Sequence, residues 1–293
     1  MKKNALILLL LSLSVILAAC QTKQPPNPSA PKAQSAAASP AVQPAASPPT
    51  VPAPTPATSP MPMPSPVSAE TKPAPAPVSS AKPAYYMNSS YFIKPLDEKG
   101  NRKVVLLTFD DGPKKKEMVD QMLDVLDKHH AKAIFFVNGY RVKENPELLK
   151  EIHDRGQTIG NHSWDHIDLS KLPKEKIEQQ IGDVQSIVKQ LTGETPVFFR
   201  PPFGTGKGFV KEVAKEHHLL FMTWSNGSLD WADNKENPQG VIQSVLDQLN
   251  PGSNILMHEL PWTVQALDEL LSKLEQKEYG FVDPKAIEIK LDK

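Results

Sequence analysis

The distribution of proline decides where this chain can fold. Nineteen of its 30 prolines fall between residues 21 and 84, a stretch with no Phe, Tyr or Trp. All 19 aromatic residues lie in 85–293. Proline lacks the N–H that helix and sheet interiors need. Without large apolar side chains, a segment cannot recover its ordering entropy by burial. Residues 21–84 therefore read as a disordered Pro/Ala/Ser-rich tether, and any core lies beyond it. Alternations such as Pro52-Ala53-Pro54 and Met61-Pro62-Met63-Pro64 favour polyproline-like backbone at roughly 3.1 Å per residue, a reach on the order of 200 Å. Residues 85–293 carry 27 Lys+Arg against 32 Asp+Glu, a net of −5, which argues against nucleic acid as a partner. A single cysteine excludes a disulfide framework.

Lys2 and Lys3 precede the apolar run Ala5–Ala19. Fifteen residues is short for a membrane-spanning helix and suits a secretory signal. The ending Leu17-Ala18-Ala19-Cys20 resembles the bacterial lipoprotein signal, in which the cysteine is lipidated and becomes the first mature residue. The expected organisation is a signal peptide over 1–19, lipidated Cys20 with its linker over 20–84, and one folded domain over 85–293. That implies an extracytoplasmic protein, lipid-anchored to the bacterial cell membrane and facing the cell wall.

From Tyr85 the pattern alternates between strand and helix. Val104–Phe109 and Ala133–Val137 read as buried strands. Between them, Val119, Met122, Leu123 and Leu126 are spaced as one helix face. Further helices are expected from Asn145-Pro146 to near Gly156, and over Pro173–Leu191, Phe209–His218, Pro238–Leu249 and Val264–Lys277. Further strands are expected at Thr158–Gly160, Val197–Phe199, Leu219–Trp224, Asn254–Met257 and Gly280–Val282. Short connections argue for about seven parallel βα units, an α/β protein. A (β/α) barrel fits one such domain, with an open doubly wound sheet as the alternative.

Five polar clusters follow predicted strands, the position that carries catalysis in a barrel. Asp110 and Asp111 end the first strand, where a bend can bring both to one site. His162 and His166 are four apart, which on one face of a helical turn suits two imidazole ligands of one metal. Arg200 precedes Pro201-Pro202-Phe203, a rigid turn that can hold an arginine or present a backbone N–H. Asp230-Trp231 suits a sugar-binding wall with an orienting carboxylate. His258 ends a buried strand. His129, His130, His217 and His218 sit at predicted helix ends and read as structural.

In this order, Thr108-Phe109-Asp110-Asp111, His162-Ser163-Trp164-Asp165-His166, Arg200-Pro201-Pro202-Phe203, Asp230-Trp231 and Leu256-Met257-His258 resemble the motifs of the polysaccharide deacetylases. This is the NodB-homology group, carbohydrate esterase family 4. The resemblance implies a distorted (β/α) barrel and a catalytic domain over 85–293. It implies that Asp111, His162 and His166 bind a divalent metal, usually zinc, with cobalt or another divalent ion as alternatives. Asp110 is then the general base, paired with Arg200, and the backbone N–H of Phe203 helps hold the oxyanion. His258 becomes the general acid, oriented and kept cationic by Asp230. Leu256 and Trp231 wall the acetyl pocket.

Two departures stand out. Phe203 occupies a position where many relatives have tyrosine, and Gly227 stands where an aspartate is frequent. The implied reaction is metal-dependent de-N-acetylation of a polysaccharide. For a tethered, lipid-anchored domain the favoured substrate is N-acetylglucosamine of peptidoglycan. N-acetylmuramic acid, chitin-like oligosaccharides, exopolysaccharide and O-acetyl xylan are compatible, as is a non-catalytic glycan-binding wall protein on the same fold.

Overall fold

The computed structural model of the protein describes residues 82–291. The expected signal peptide, Cys20 and the tether up to Ala81 lie outside the described residues. In chain order the elements are β1 (Tyr85–Met87), β2 (Ile93–Pro95), β3 (Val104–Gly112), α1 (Lys116–Lys128), β4 (Ala133–Val137), α2 (Gly139–Glu144), α3 (Pro146–Asp154), β5 (Thr158–Asn161), α4 (Lys174–Thr192), β6 (Phe198–Phe199), α5 (Val210–Glu216), β7 (Leu220–Phe221), β8 (Asn226–Gly227), α6 (Pro238–Asp247), β9 (Ser253–His258), α7 (Pro261–Gln276) and β10 (Gly280–Phe281).

One parallel sheet runs in the order β7-β6-β5-β4-β3-β9-β8, with β10 pairing the start of β3. Its two edges settle barrel against open sheet. β7 and β8 lie at opposite ends of the path, yet only residues 222–225 connect them. A fully extended link of that length spans about 18 Å. Seven strands laid flat would hold their outer members about 29 Å apart. The sheet must therefore curl, and it forms a distorted half-barrel.

Both faces of the sheet are buried, for different reasons. Val105, Leu107 and Phe109 face outward into the layer shared with α1 and α7. Val104 and Leu106 face the barrel interior with Ile134, Phe136 and Phe198. This is why β3 reads as an unbroken apolar run rather than an alternating one. Along the inner face the lining changes from Leu106 through Thr108 to Asp110, so the barrel is apolar at its base and polar at its mouth. The β1–β2 hairpin closes the base with Ile93, which is fully buried and whose N–H donates to the Gly252 carbonyl (2.8 Å).

The expected helices and strands are present, with three differences. Residues 85–95 form the basal hairpin. The strand expected over Leu219–Trp224 is shortened to β7, and an unexpected short strand, β8, follows it with no helix between them. Helix α2 had no periodic signal, because only Gly139 and Val142 of its six residues are buried. Its start is set by distant groups, with Gly139 N–H donating to Ser163 O (3.1 Å) and Tyr140 N–H to Trp164 O (3.2 Å).

Candidate active site

All five polar clusters lie at or just beyond the carboxyl ends of strands β3, β5, β6, β8 and β9. Asp110 and Asp111 show how neighbouring residues reach one place. Side chains alternate along a strand, so Asp110 points inward, 3% exposed, and Asp111 would point away. Instead Asp111 adopts a left-handed backbone (φ 68°), and the pairing of β3 with β4 shifts register between Asp110 and Gly112. This bulge turns Asp111 to the same mouth.

The two histidines are not on a helical turn, contrary to the sequence expectation. His162 to His166 is an irregular loop in which Ser163 (φ 65°) and His166 (φ 53°) are left-handed. The rings still meet, with centroids 4.9 Å apart. His162 Nδ1 lies 2.6 Å from the Arg200 carbonyl, which can only accept, so Nδ1 carries the proton. That leaves Nε2 as the free donor of an electron pair. His162 Nε2 is 3.5 Å and His166 Nε2 3.3 Å from Asp111 Oδ1. One ligand atom from each of the three residues lies within 4.8 Å of the others. Zinc–ligand bonds of about 2.1 Å place neighbouring tetrahedral ligands about 3.4 Å apart, so the spacing fits a divalent ion. Asp111 Oδ1 is buried with no hydrogen-bond partner, an acceptor that such an ion would satisfy.

The charges agree with that role. Burial pushes Asp111 up, but the contact with His162 and the charges of His162, His166 and His258 outweigh it and hold the carboxyl well below its usual range. Burial lowers His166, against the pull of Asp111, so the ring favours the neutral form a metal requires.

Arg200 is fully buried beneath Asp110. Nη1 donates to Asp110 Oδ1 (2.7 Å) and Thr108 Oγ1 (2.8 Å), and Nη2 to Thr223 O (2.9 Å) and Asn254 Oδ1 (3.3 Å). The guanidinium lies 4.4 Å from the Phe136 ring centroid. The other oxygen of Asp110 is 3.6 Å from His162 Nε2, beside the ligand set.

His258 ends β9, which pairs with β3 on the edge away from β4 and β5. Its Nδ1 bonds Asp230 Oδ1 (2.8 Å), and its backbone N–H donates to Asp230 Oδ2 (2.8 Å). Burial lowers the imidazole, but the bond to Asp230 and the charges of Asp230, Asp110 and Asp111 prevail and raise it above its ordinary value. Sequence reasoning missed two supports of Asp230. Thr263 Oγ1 donates to Oδ2 (2.6 Å) and Trp262 Nε1 to the Asp230 carbonyl (2.8 Å). Both sit on the first turn of α7, and no local signal links them to residue 230.

A cavity of about 240 Å³ opens between Asp111, His258, Trp231, Lys235, Leu260 and Trp262. It is smaller than the roughly 300–1,000 Å³ that encloses a whole ligand, so it suits one substituent of a longer chain. A larger hollow of about 460 Å³ lies near the start of β5 and β6, lined by Ile159, Val197, Phe198 and Ile287, away from the clustered carboxylates and imidazoles. Trp231 is 42% exposed with its ring 5.1 Å from His258. Phe203 is 67% exposed, left-handed (φ 59°), and edge-on to His166 at 5.0 Å. Leu256 is buried two residues before His258 in β9, and Leu260 and Trp262 provide the apolar lining around the cavity.

Residues 97–222 match the family model for polysaccharide deacetylase. The chain is 35% identical over 220 residues, 74% of its length, to the peptidoglycan-N-acetylglucosamine deacetylase PgdA of Listeria monocytogenes, and it spans 46% of that relative. Among solved structures it resembles the peptidoglycan deacetylase PdaC of Bacillus subtilis, at 34% identity and TM-score 0.57, covering 62% of this chain and 88% of that one. It also resembles a carbohydrate esterase family 4 pseudoenzyme of Bacillus anthracis, at 30% identity and TM-score 0.59, covering 64% of this chain and 66% of that one. Family resemblance read from five ordered motifs thus meets a fold and relatives of the same kind, and the chain belongs to the polysaccharide deacetylase family, carbohydrate esterase family 4.

Proposed function

We propose that this protein removes the N-acetyl group from N-acetylglucosamine of peptidoglycan, releasing acetate and leaving a free amine. The observation that carries the reading is the convergence of Asp111, His162 and His166 on one centre, with Asp110 beside His162 and Asp230-oriented His258 on the neighbouring strand β9. A divalent ion held by the three ligands supplies Lewis-acid polarisation of the acyl oxygen and lowers the pKa of the attacking water. Two imidazoles among three donors favour zinc over a hard cation such as magnesium.

Asp110 accepts the proton of the water as it attacks the acyl carbon. Arg200 occupies one of its oxygens, which leaves the other turned toward the ligand set. His258 holds a proton above the usual imidazole range and delivers it to the departing nitrogen. Asp230 keeps that ring oriented throughout, as an orienting carboxylate does in hydrolytic triads. The turn carrying Phe203 offers a backbone N–H toward the developing oxyanion. Trp231, beside His258, and Phe203, beside His166, present exposed rings suited to sugar faces.

The Listeria relative's name supports peptidoglycan N-acetylglucosamine as the substrate. The signal-like N-terminus supports lipid attachment at Cys20, with the domain held outside the cytoplasm at the wall. Acetate release from peptidoglycan and from N-acetylglucosamine oligomers, with mapping of the deacetylated sugar, tests the proposal. Acetate from the parent protein and none from Asp110→Asn is the expected result. Because a pseudoenzyme shares the fold, the competing outcome is glycan binding without turnover that Asp110→Asn leaves unchanged, and that outcome replaces catalysis with a wall-binding role.

A further inference from the structure

The residue after His258 has no part in the chemistry above, yet it is among the most buried acids of the described domain. Glu259 is 1% exposed. Its Oε1 accepts two backbone hydrogen bonds, from the N–H of Lys114 (2.8 Å) and of Lys115 (3.0 Å). Its own N–H donates to the Asp110 carbonyl (3.3 Å). One residue thus grips the turn from Asp110 to Lys115 at both ends. Between those grips lies Asp111, whose left-handed backbone (φ 68°) is a strained conformation that persists only where its surroundings hold it.

Two further observations fit a clamp. Lys115 is the N-cap of α1 but makes no side-chain cap, so Glu259 supplies the acceptor that the helix start lacks. Its other oxygen packs against Gly112, where an added Cβ would lie 2.7 Å from Oε2. A side chain at Gly112 would therefore press on the Glu259 carboxylate, almost 150 residues away in sequence. Burial raises Glu259, opposed by the Lys115 and Lys114 N–H bonds and by the charges of Lys114 and Arg141.

We infer that Glu259 is a positioning residue: by bonding the Lys114 and Lys115 amides it holds the metal-binding turn of β3 in register with the general acid His258 on β9. β3 and β9 already pair Asp110 with His258, and Glu259 extends that coupling past the strand ends, where the sheet ladder stops. The inference rests on Asp111 being a metal ligand. Its first readout needs neither metal nor turnover.

Two single variants separate geometry from charge. Glu259→Gln keeps an oxygen acceptor at full length and loses the charge. Glu259→Asp keeps the charge and is too short by one methylene to reach both amides. Amide hydrogen exchange on the metal-free full chain should show Lys114 and Lys115 protected in the parent and in Glu259→Gln. Both should exchange at least about tenfold faster in Glu259→Asp. Titration with zinc alone should show affinity weakened by about 10–100-fold in Glu259→Asp and by no more than a few-fold in Glu259→Gln. On N-acetylglucosamine oligomers, kcat should follow zinc affinity while KM stays within about twofold. Parent-like amide protection in Glu259→Asp overturns the clamp, as does a Glu259→Gln variant as impaired as Glu259→Asp. If no glycan is turned over, the proposed function fails while the exchange result still decides the clamp.

Discussion

Arg200→Met tests whether the centre is built around a buried ion pair. The guanidinium is fully buried, and its four hydrogen bonds run to Asp110, Thr108, Thr223 and Asn254. Methionine fills part of the volume and removes every donor. Asp110, 3% exposed, then keeps its charge without a counter-charge. Removing one partner of a buried pair costs about 3–5 kcal/mol. At about 2–4 °C per kcal/mol for a domain of this size, melting should fall by roughly 6–20 °C. The double variant Arg200→Met/Asp110→Asn removes the stranded charge as well. It should leave one orphaned acceptor, Asn254 Oδ1, since Thr223 O still accepts from Asn254 Nδ2 (3.0 Å) and Thr108 Oγ1 still donates to Ile255 O; at about 1–3 kcal/mol for that acceptor, the double variant should be about 2 kcal/mol more stable than the single variant. Thermal denaturation at one pH and salt, followed by circular dichroism, measures both. The reasoning is refuted by a single variant melting within about 3 °C of the parent, or by a double variant melting below the single.

Asp230→Asn removes the acid that keeps His258 protonated. As the proposed general acid, His258 would act in its charged form and lose that form as pH rises through its raised pKa, so without Asp230 the alkaline limb of kcat should move to lower pH. Its plateau should drop by about 10²–10⁴-fold, and pH–rate profiles of both proteins check this. Chelator treatment should lower the melting temperature and zinc should restore it, since an ion at about 100 times its Kd stabilises by about 2.7 kcal/mol. In Asp111→Asn that zinc-dependent shift should largely vanish. Gly139→Ala places a methyl group against the ring of Trp164, which lies between His162 and His166 in the loop of the proposed ligands. Zinc titration should show weaker binding in that variant, with secondary structure unchanged by circular dichroism.

The barrel was legible because its signals are local. An apolar run such as Val104–Phe109, buried on both faces, and a helix face such as Val119, Met122, Leu123 and Leu126 each state their structure within a few residues. The same holds for the order of the motifs and for their place after strands. Chain economy could then have excluded the open sheet, had the positions of β7 and β8 in the sheet been known. What stayed hidden shares one cause. The loop shape of His162–His166, the start of α2, the locking of Asp230 by Thr263 and Trp262, and the grip of Glu259 on Lys114 and Lys115 are contacts between residues or turns that carry no periodic pattern of their own.

The amino-acid order by itself determined which stretch could bury a core, the alternation of strand and helix, and the identity of the ionisable groups at each strand end. Tertiary structure alone decided that Asp111 turns inward, that His162 presents Nε2, that a buried arginine bonds Asp110, and that a buried glutamate bonds the Lys114 and Lys115 amides just beyond β3. Periodicity and turn chemistry are properties of neighbours along the chain. The aim of a side chain is set by hydrogen bonds and packing from elements tens of residues away, and these exist only once the sheet has curled.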